Sequence, residues 1–455
     1  MTSPLSDSVT AQIAGFVEAS QRDGRVPGVS VGVVRNGQVI HGAFAGRGLA
    51  RDTQSRIGSI SKTFTATLLM QLRDAGVVDL NAPLSAYLPA LDLGPVTVRQ
   101  VLAHFSGLRR EPHGDWWERA AGGDVDSLLA DVDGGALIHR PMRRHHYSNL
   151  GYGLLGAVIE KVTGDTWWDA LRARVIEPLG LTRTSYFPIE PYATGYVVHP
   201  YDGTLREEPR HDAGAMAPAG QLWSTLDDLG RWAGFLAGAS VARDERRRRP
   251  ASIPATPDPA VLAPETLDEM CHPVSMHDAD WSGAHGLGLE TFRSGDRLFV
   301  GHTGSMPGYL AALLVHRGSG YGVAAFVNAY TMSRGSISGL AVGVLNRVLD
   351  LAPPQAQSWQ PAAAPAPAHV IPLLGAWWWM GRAYDAVWDG ELVLTYRGDG
   401  ATPWRFAESG VDRWRCHSGM NHGESMIVRR DASGQPAELD IATFVFTREV
   451  WPDLG

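Results

Sequence analysis

The chain has 455 residues, 44% hydrophobic and 19% charged, with a formal net charge of -8. This length supplies two domains or one large one with a buried core, and the acidic balance offers no basic footprint for a phosphate backbone, so nucleic acid is not an expected partner. The two cysteines, Cys271 and Cys416, lie far apart in sequence and support neither a disulfide framework nor a multi-cysteine zinc site, so the compartment can be reducing.

At the N-terminus Leu5, Val9, Ile13, Phe16 and Val17 fall at helical spacing, and Asp7 stands where a secretory signal would be basic. The segment predicts an amphipathic helix of the mature fold. No stretch approaches the roughly 20 apolar residues that span a bilayer, so a cytoplasmic protein without membrane association is expected. Alternation over Gly28 to Val34 and Val39 to Phe44, joined at Asn36-Gly37, predicts an antiparallel hairpin. A mainly helical middle follows, with predicted helices over Lys62 to Ala75, Leu150 to Val162, Trp167 to Val175 and Thr225 to Leu236. The Pro-, Ala- and Arg-rich stretch Ala242 to Ala263, with its run Arg246 to Arg249, reads as a solvated loop.

Strand signals return at Arg297 to His302, Tyr309 to His316 and Tyr321 to Asn328, before a helix over Ile337 to Leu349. If the two strand clusters share one sheet, the class is α+β: an antiparallel sheet flanked by helices, with the middle as a helical lobe. Residues 351–370 are rich in Pro and Ala and read as a linker. Residues 371–455 predict a small all-β domain, from the turn at Asp389-Gly390 and the alternation over Glu391 to Tyr396. Its tryptophans, Trp377, Trp378, Trp379, Trp388, Trp404, Trp414 and Trp451, read as core and barrel lining.

The charge inventory singles out one position. Among 40 basic residues only Lys62 and Lys161 are lysine. Arginine does not deprotonate in proteins, whereas a desolvated lysine can serve as a base. Lys62 lies one helical turn after Ser59, the geometry of a serine nucleophile activated by an amine. The second copy of GSIS, at Gly335 to Ser338, lacks that lysine, and Ser336 there is expected to cap a helix.

Two further stretches complete a set: Tyr147-Ser148-Asn149 before a helix, and His302-Thr303-Gly304, read as closing a strand. Ser59-x-x-Lys62, Tyr147-Ser148-Asn149 and His302-Thr303-Gly304, in this order, resemble the three motifs of the penicillin-binding protein and class C β-lactamase superfamily. LAHFSGL at Leu102 to Leu108, APAGQLWST at Ala217 to Thr225 and GLGLE at Gly286 to Glu290 are similar to supporting stretches of that family.

The resemblance implies a catalytic domain over about residues 8–350 and a set of roles. Ser59 attacks an acyl carbonyl, Lys62 and Tyr147 form the base system, and Asn149 orients substrate and lysine. The backbone amides of Ser59 and Ser305 form the oxyanion hole. His302 stands where many members carry lysine, which resembles the esterase, D-aminopeptidase and peptide-cyclase branches. No cofactor and no metal is expected: His145 and His146 precede Tyr147, but no third ligand is evident, and His104 reads as structural.

Cell-wall peptidases and β-lactamases act outside the cytoplasm, which leaves three readings of the acyl transfer: a carboxylesterase, a D-amino-acid peptidase or amidase, and a thioesterase that cyclises a peptide. The layout, one such domain plus a small lipocalin-like β domain, most resembles the stand-alone penicillin-binding-protein-type thioesterases of nonribosomal peptide assembly. That reading implies a peptidyl thioester substrate, a carrier-protein partner, a Trp-rich domain acting as a lid, and Arg448 touching a peptide carbonyl. A non-catalytic binding protein is the remaining alternative, and the intact Ser59, Lys62 and Tyr147 set argues against it.

Overall fold

The computed structural model describes residues 5–246, 261–277, 279–353, 365–398, 400 and 402–450, with the backbone alone for residues 239–246. The chain divides into two compact units, residues 1–355 and 356–455.

The first unit begins with helix α1 (Asp7–Gly24), capped by Ser6, whose hydroxyl accepts from the Val9 amide. Its apolar stripe, Val9, Ile13 and Val17, is buried, with Leu5 and Phe16 packed at the margin. Strands β1 (Gly28–Arg35) and β2 (Gln38–Gly46) form the expected hairpin. Asn36 and Gly37 both have positive φ, 50° and 78°, the conformation a tight two-residue turn requires. Helix α2 (Ser61–Asp74) follows a single 3-10 turn at Gly58–Ile60. Helix α3 (Asn149–Thr163) centres a helical lobe, and α4 (Leu226–Arg246) returns the chain to the sheet.

The remaining strands of the main sheet are β3 (Ser275–Met276), β4 (Gly283–His285), β5 (Glu290–Ser294), β6 (Arg297–Met306), β7 (Tyr309–His316) and β8 (Tyr321–Val327), followed by α5 (Ile337–Leu351). They join the hairpin in one antiparallel sheet of order β2-β1-β8-β7-β6-β5-β4-β3. Central strands are buried on both faces, so they read as nearly unbroken apolar runs. Val29, Val31, Val33, Ala312, Leu314, Val323 and Ala325 pack with α1 and α5. Their alternates Val34, Ala311, Leu313, Ala324 and Phe326 pack with α2 and α4 on the other face. There Phe64 stacks on Trp232 at a centroid distance of 3.9 Å, and the Trp232 indole donates to the Thr63 hydroxyl.

In the second unit eight strands, β9 (Gly375–Trp379) through β16 (Phe444–Thr447), close a barrel. Trp377 and Trp414 are buried in its core, with Trp379, Trp388 and Trp404 packed against them.

Three expectations are corrected. Residues 242–246, read as loop, continue helix α4, and residues 247–260 lie outside the described residues, as do 354–364 of the linker and Trp451. His302-Thr303-Gly304 does not close its strand: β6 runs on to Met306, because Thr303, Gly304 and Ser305 pair with Ala312, Ala311 and Leu310. Asn149 begins α3 instead of preceding it, since Ser148 is the cap. Four short helices, Val98–Leu102, Val125–Ala130, Ala217–Gly220 and Pro264–Cys271, were not foreseen, being too brief to show a helical period.

Trp232 is fully buried, so Trp232→Ala removes its stacking partnership with Phe64 and leaves a cavity. The expected cost is about 3–5 kcal/mol, read as a lower denaturation midpoint of the first unit at unchanged slope.

Candidate active site

Ser59, the expected nucleophile, sits at a joint between turn and strand. Gly58 has φ 51°, and a Cβ there would lie 2.6 Å from the backbone nitrogen of Ser305. A Cβ on Gly304 would meet the Ile57 carbonyl at 2.0 Å and the Ser59 nitrogen at 3.1 Å. Only glycine at both positions lets the Ser59 turn lie directly on strand β6. This contact brings the backbones of Ser59 and Ser305 to one place, with both residues partly exposed.

One turn into the helix region, Lys62 is wholly buried. Its Nζ lies 2.9 Å from Ser59 Oγ and donates to the Ala219 carbonyl at 2.6 Å. The amine also lies 4.9 Å from the centre of the Tyr147 ring and 5.5 Å from that of Tyr152. Burial lowers the Lys62 pKa to about 7, against the opposing pull of Glu118 and Glu111. Ser61 points elsewhere, its hydroxyl accepting from the Leu222 amide.

Burial pushes the Tyr147 phenol pKa up, and the neighbouring Ser59 hydroxyl opposes that shift. The position of Tyr147 is set by His104, whose ring stacks on it at 4.2 Å and whose Nδ1 accepts from the Ser148 amide. His104 thus holds the Tyr147 segment through Nδ1, although its buried Nε2 has no partner, and takes a left-handed backbone at φ 52° to reach that place. Ser148 donates to the Arg109 carbonyl and accepts from the Gly151 amide, so the residue between Tyr147 and Asn149 caps α3.

Asn149 donates through Nδ2 to Glu111 Oε1 at 2.8 Å. The two hydrogen bonds of Lys62 run to Ser59 and Ala219, and the amide of Asn149 is held by Glu111 instead of the lysine. Its buried Oδ1 has no partner, an acceptor aimed where an N–H could bind. His302 is buried on β6, 6.2 Å from the Tyr147 ring, with its Nε2 likewise unpartnered. Burial and the nearby Lys62 lower its pKa to about 3, so it is neutral and cannot hold a carboxylate as lysine would.

Three carboxylates were missed by sequence reasoning. Glu111 anchors Asn149 and accepts from the Trp117 indole. Burial raises Glu118 and Glu290 to about 7, and Glu290 accepts from the Thr303 amide and hydroxyl. Glu290 closes the GLGLE stretch and Ala219 lies inside APAGQLWST, so the supporting motifs held the signal.

Two other expected residues sit differently. Arg448 lies in the second unit, stacked on Trp377 at 3.8 Å, and its guanidinium donates to the Ala376 and Pro372 carbonyls. These bonds fix the barrel's own backbone. His146 faces His139, whereas His145 meets His277 and His285, so a third imidazole stands beside His145 that the sequence did not reveal. In the second GSIS, Ser336 caps α5 by accepting from the Gly339 amide.

A family model described as Beta-lactamase matches residues 13–341, and one described as a domain of unknown function (DUF7586) matches residues 366–448. Penicillin-binding protein 4 of Amycolatopsis lactamdurans is 29% identical over 389 residues, covering 79% of this chain and 95% of that protein. The crystal structure of a D-stereospecific amidohydrolase from Streptomyces sp. has a TM-score of 0.60 at 27% identity, over 75% of this chain and 98% of that one. An octameric penicillin-binding protein homologue from Pyrococcus abyssi has the same fold along 97% of this chain and 100% of its own, with a TM-score of 0.62 at 20% identity. Among the described residues no helix is long and apolar enough to cross a membrane.

Lys62 acts as a base only when neutral, so the acylation rate should rise with pH through about 7 and fall about tenfold per unit below it. The limb should persist in Glu118→Gln and in Glu290→Gln, moved to lower pH in both because each carboxylate raises the Lys62 pKa, which separates it from the two glutamates that titrate in the same range. Lys62→Arg keeps the charge and loses the base, with an expected fall of about 100-fold or more in kcat/KM. Gly304→Ala forces the Ser59 turn off β6 and should abolish acylation, read as loss of covalent labelling by a serine-directed probe in protein that remains folded by circular dichroism.

Proposed function

This chain belongs to the β-lactamase family, and on that premise we propose that it is a serine acyl-enzyme that releases a peptidyl thioester by closing the peptide on its own amine. The 2.9 Å separation of Ser59 Oγ from a buried, near-neutral Lys62 carries the reading. As Ser59 Oγ bonds to the carbonyl carbon, Lys62 takes its proton. Negative charge on the carbonyl oxygen is met by the Ser59 and Ser305 amides. The carbon–sulfur bond then breaks, the proton is returned to the thiol through Lys62 and Tyr147, and an ester to Ser59 remains.

In the second half the peptide's amine attacks that ester, an amide forms, and Ser59 recovers its proton. The neutral His302 suits a donor without a carboxylate beside the scissile bond, as in a thioester or an amide. Glu118, Glu111 and Glu290 all act electrostatically on Lys62, and the same field attracts a substrate ammonium. Glu118 and Glu290, each with a pKa raised to about 7, suit taking the proton that this ammonium must lose before it attacks. The donor would arrive on a carrier protein. A second reading, hydrolysis of D-amino amides, is favoured by the likeness to the D-stereospecific amidohydrolase.

The product mass separates the two. From a peptidyl thioester with a free N-terminal amine, a product lighter than the free acid by one water is expected, and Ser59→Ala should release none. Free acid alone, formed equally well from D-amino amides, would replace the cyclase reading with the amidase one.

A further inference from the structure

Beside the catalytic groups, and not used by them, three imidazoles converge from separate parts of the chain. His145 lies two residues before Tyr147, His277 follows β3, and His285 ends β4. One ring nitrogen from each lies within 4.8 Å of the other two, and the ring centroids are 4.5, 4.7 and 5.1 Å apart. His277 Nε2 and His285 Nδ1 face each other at 2.5 Å.

Neighbouring groups set the first ring's tautomer and make room for the second. Ser275 donates its hydroxyl to the Ala103 carbonyl at 2.6 Å, so toward His145 Nδ1, 3.0 Å away, it can only accept. His145 therefore carries its proton on Nδ1 and its lone pair on Nε2, the outer hydrogen bond that orients metal-ligating histidines. A Cβ at position 283 would lie 2.6 Å from His277 Nδ1, so Gly283 makes room for that ring. His104, which touches His285 at 4.7 Å, is not available as a further ligand through Nδ1, which accepts from Ser148.

We infer that His145, His277 and His285 form a divalent transition-metal site, of the three-imidazole kind that zinc takes, which fastens the Tyr147 segment to the edge of the sheet. Tetrahedral zinc with ligands at about 2.0–2.1 Å holds its nitrogens roughly 3.3 Å apart, so the facing pair must separate by under about 1 Å while the wider spacings, which reach up to 4.8 Å, close by up to about 1.5 Å. The fourth position is left for water. His285 stands 5.8 Å from the Tyr147 ring and 5.6 Å from the His302 ring, so the metal would stiffen the wall that carries the phenol without touching the reacting atoms. The inference stands whether or not the acyl donor is a thioester.

The test uses the tag-free full chain, stripped with a chelator and titrated with Co²⁺ as a spectroscopic probe. About one Co²⁺ per chain should bind with the intense visible absorption of a tetrahedral site, Zn²⁺ should displace it, and Zn²⁺ should raise the thermal midpoint. His277→Gln, at a half-buried position, should lose both effects, Ser275→Ala should weaken binding about tenfold, and His146→Gln should change neither. Absence of stoichiometric binding to the unmutated protein, or binding unchanged in His277→Gln, overturns the assignment.

Discussion

Removal of one amine from water governs this catalytic domain. An exposed lysine is protonated throughout the physiological range and cannot take a proton from serine. Here α2, the Ala217–Gly220 helix and two tyrosine rings enclose Lys62 completely, and desolvation brings it to neutrality near pH 7. The enclosure in turn requires the helical lobe, through α3 and the Ala217–Gly220 helix, to pack on α2. Glu118, Glu111 and Glu290 oppose the desolvation and keep the amine poised instead of permanently neutral.

The second constraint is steric. Ser59 and Ser305 come from elements more than two hundred residues apart, yet their backbones meet at one place. The fold meets this by omitting side chains: Gly58 and Gly304 let turn and strand touch through backbone alone. Such a joint has few internal degrees of freedom. The donors therefore stand in place before the substrate arrives, which is the condition under which hydrogen bonds to a developing charge are most effective.

Much of this was legible in the sequence, and the reasons are local. The hairpin at Asn36-Gly37, the stripe of α1, the Ser59-x-x-Lys62 spacing and the β character of the final segment all depend on neighbours within a few residues. The extent of β6 was not legible: Gly304 suggested that the turn begins there, whereas pairing with β7 carries the strand on to Met306 and the turn falls at Pro307-Gly308. Nor were the three glutamates or the histidines of the sheet edge, whose meaning arises only when distant segments meet. Arg448 was singled out for its place in a terminal strand, and the two backbone carbonyls that its guanidinium serves lie more than seventy residues earlier in the chain, out of reach of any local reading.

The partner that fixes Lys62 on its far side is a main-chain carbonyl, that of Ala219. A main-chain group is present whatever residue occupies the position. Substitutions that reshape the surrounding cleft can thus accumulate while the base keeps its anchor, so the proton-transfer apparatus and the choice of acyl group are inherited as separable traits. A lineage built this way can trade one substrate for another by small steps, none of which passes through an inactive catalyst.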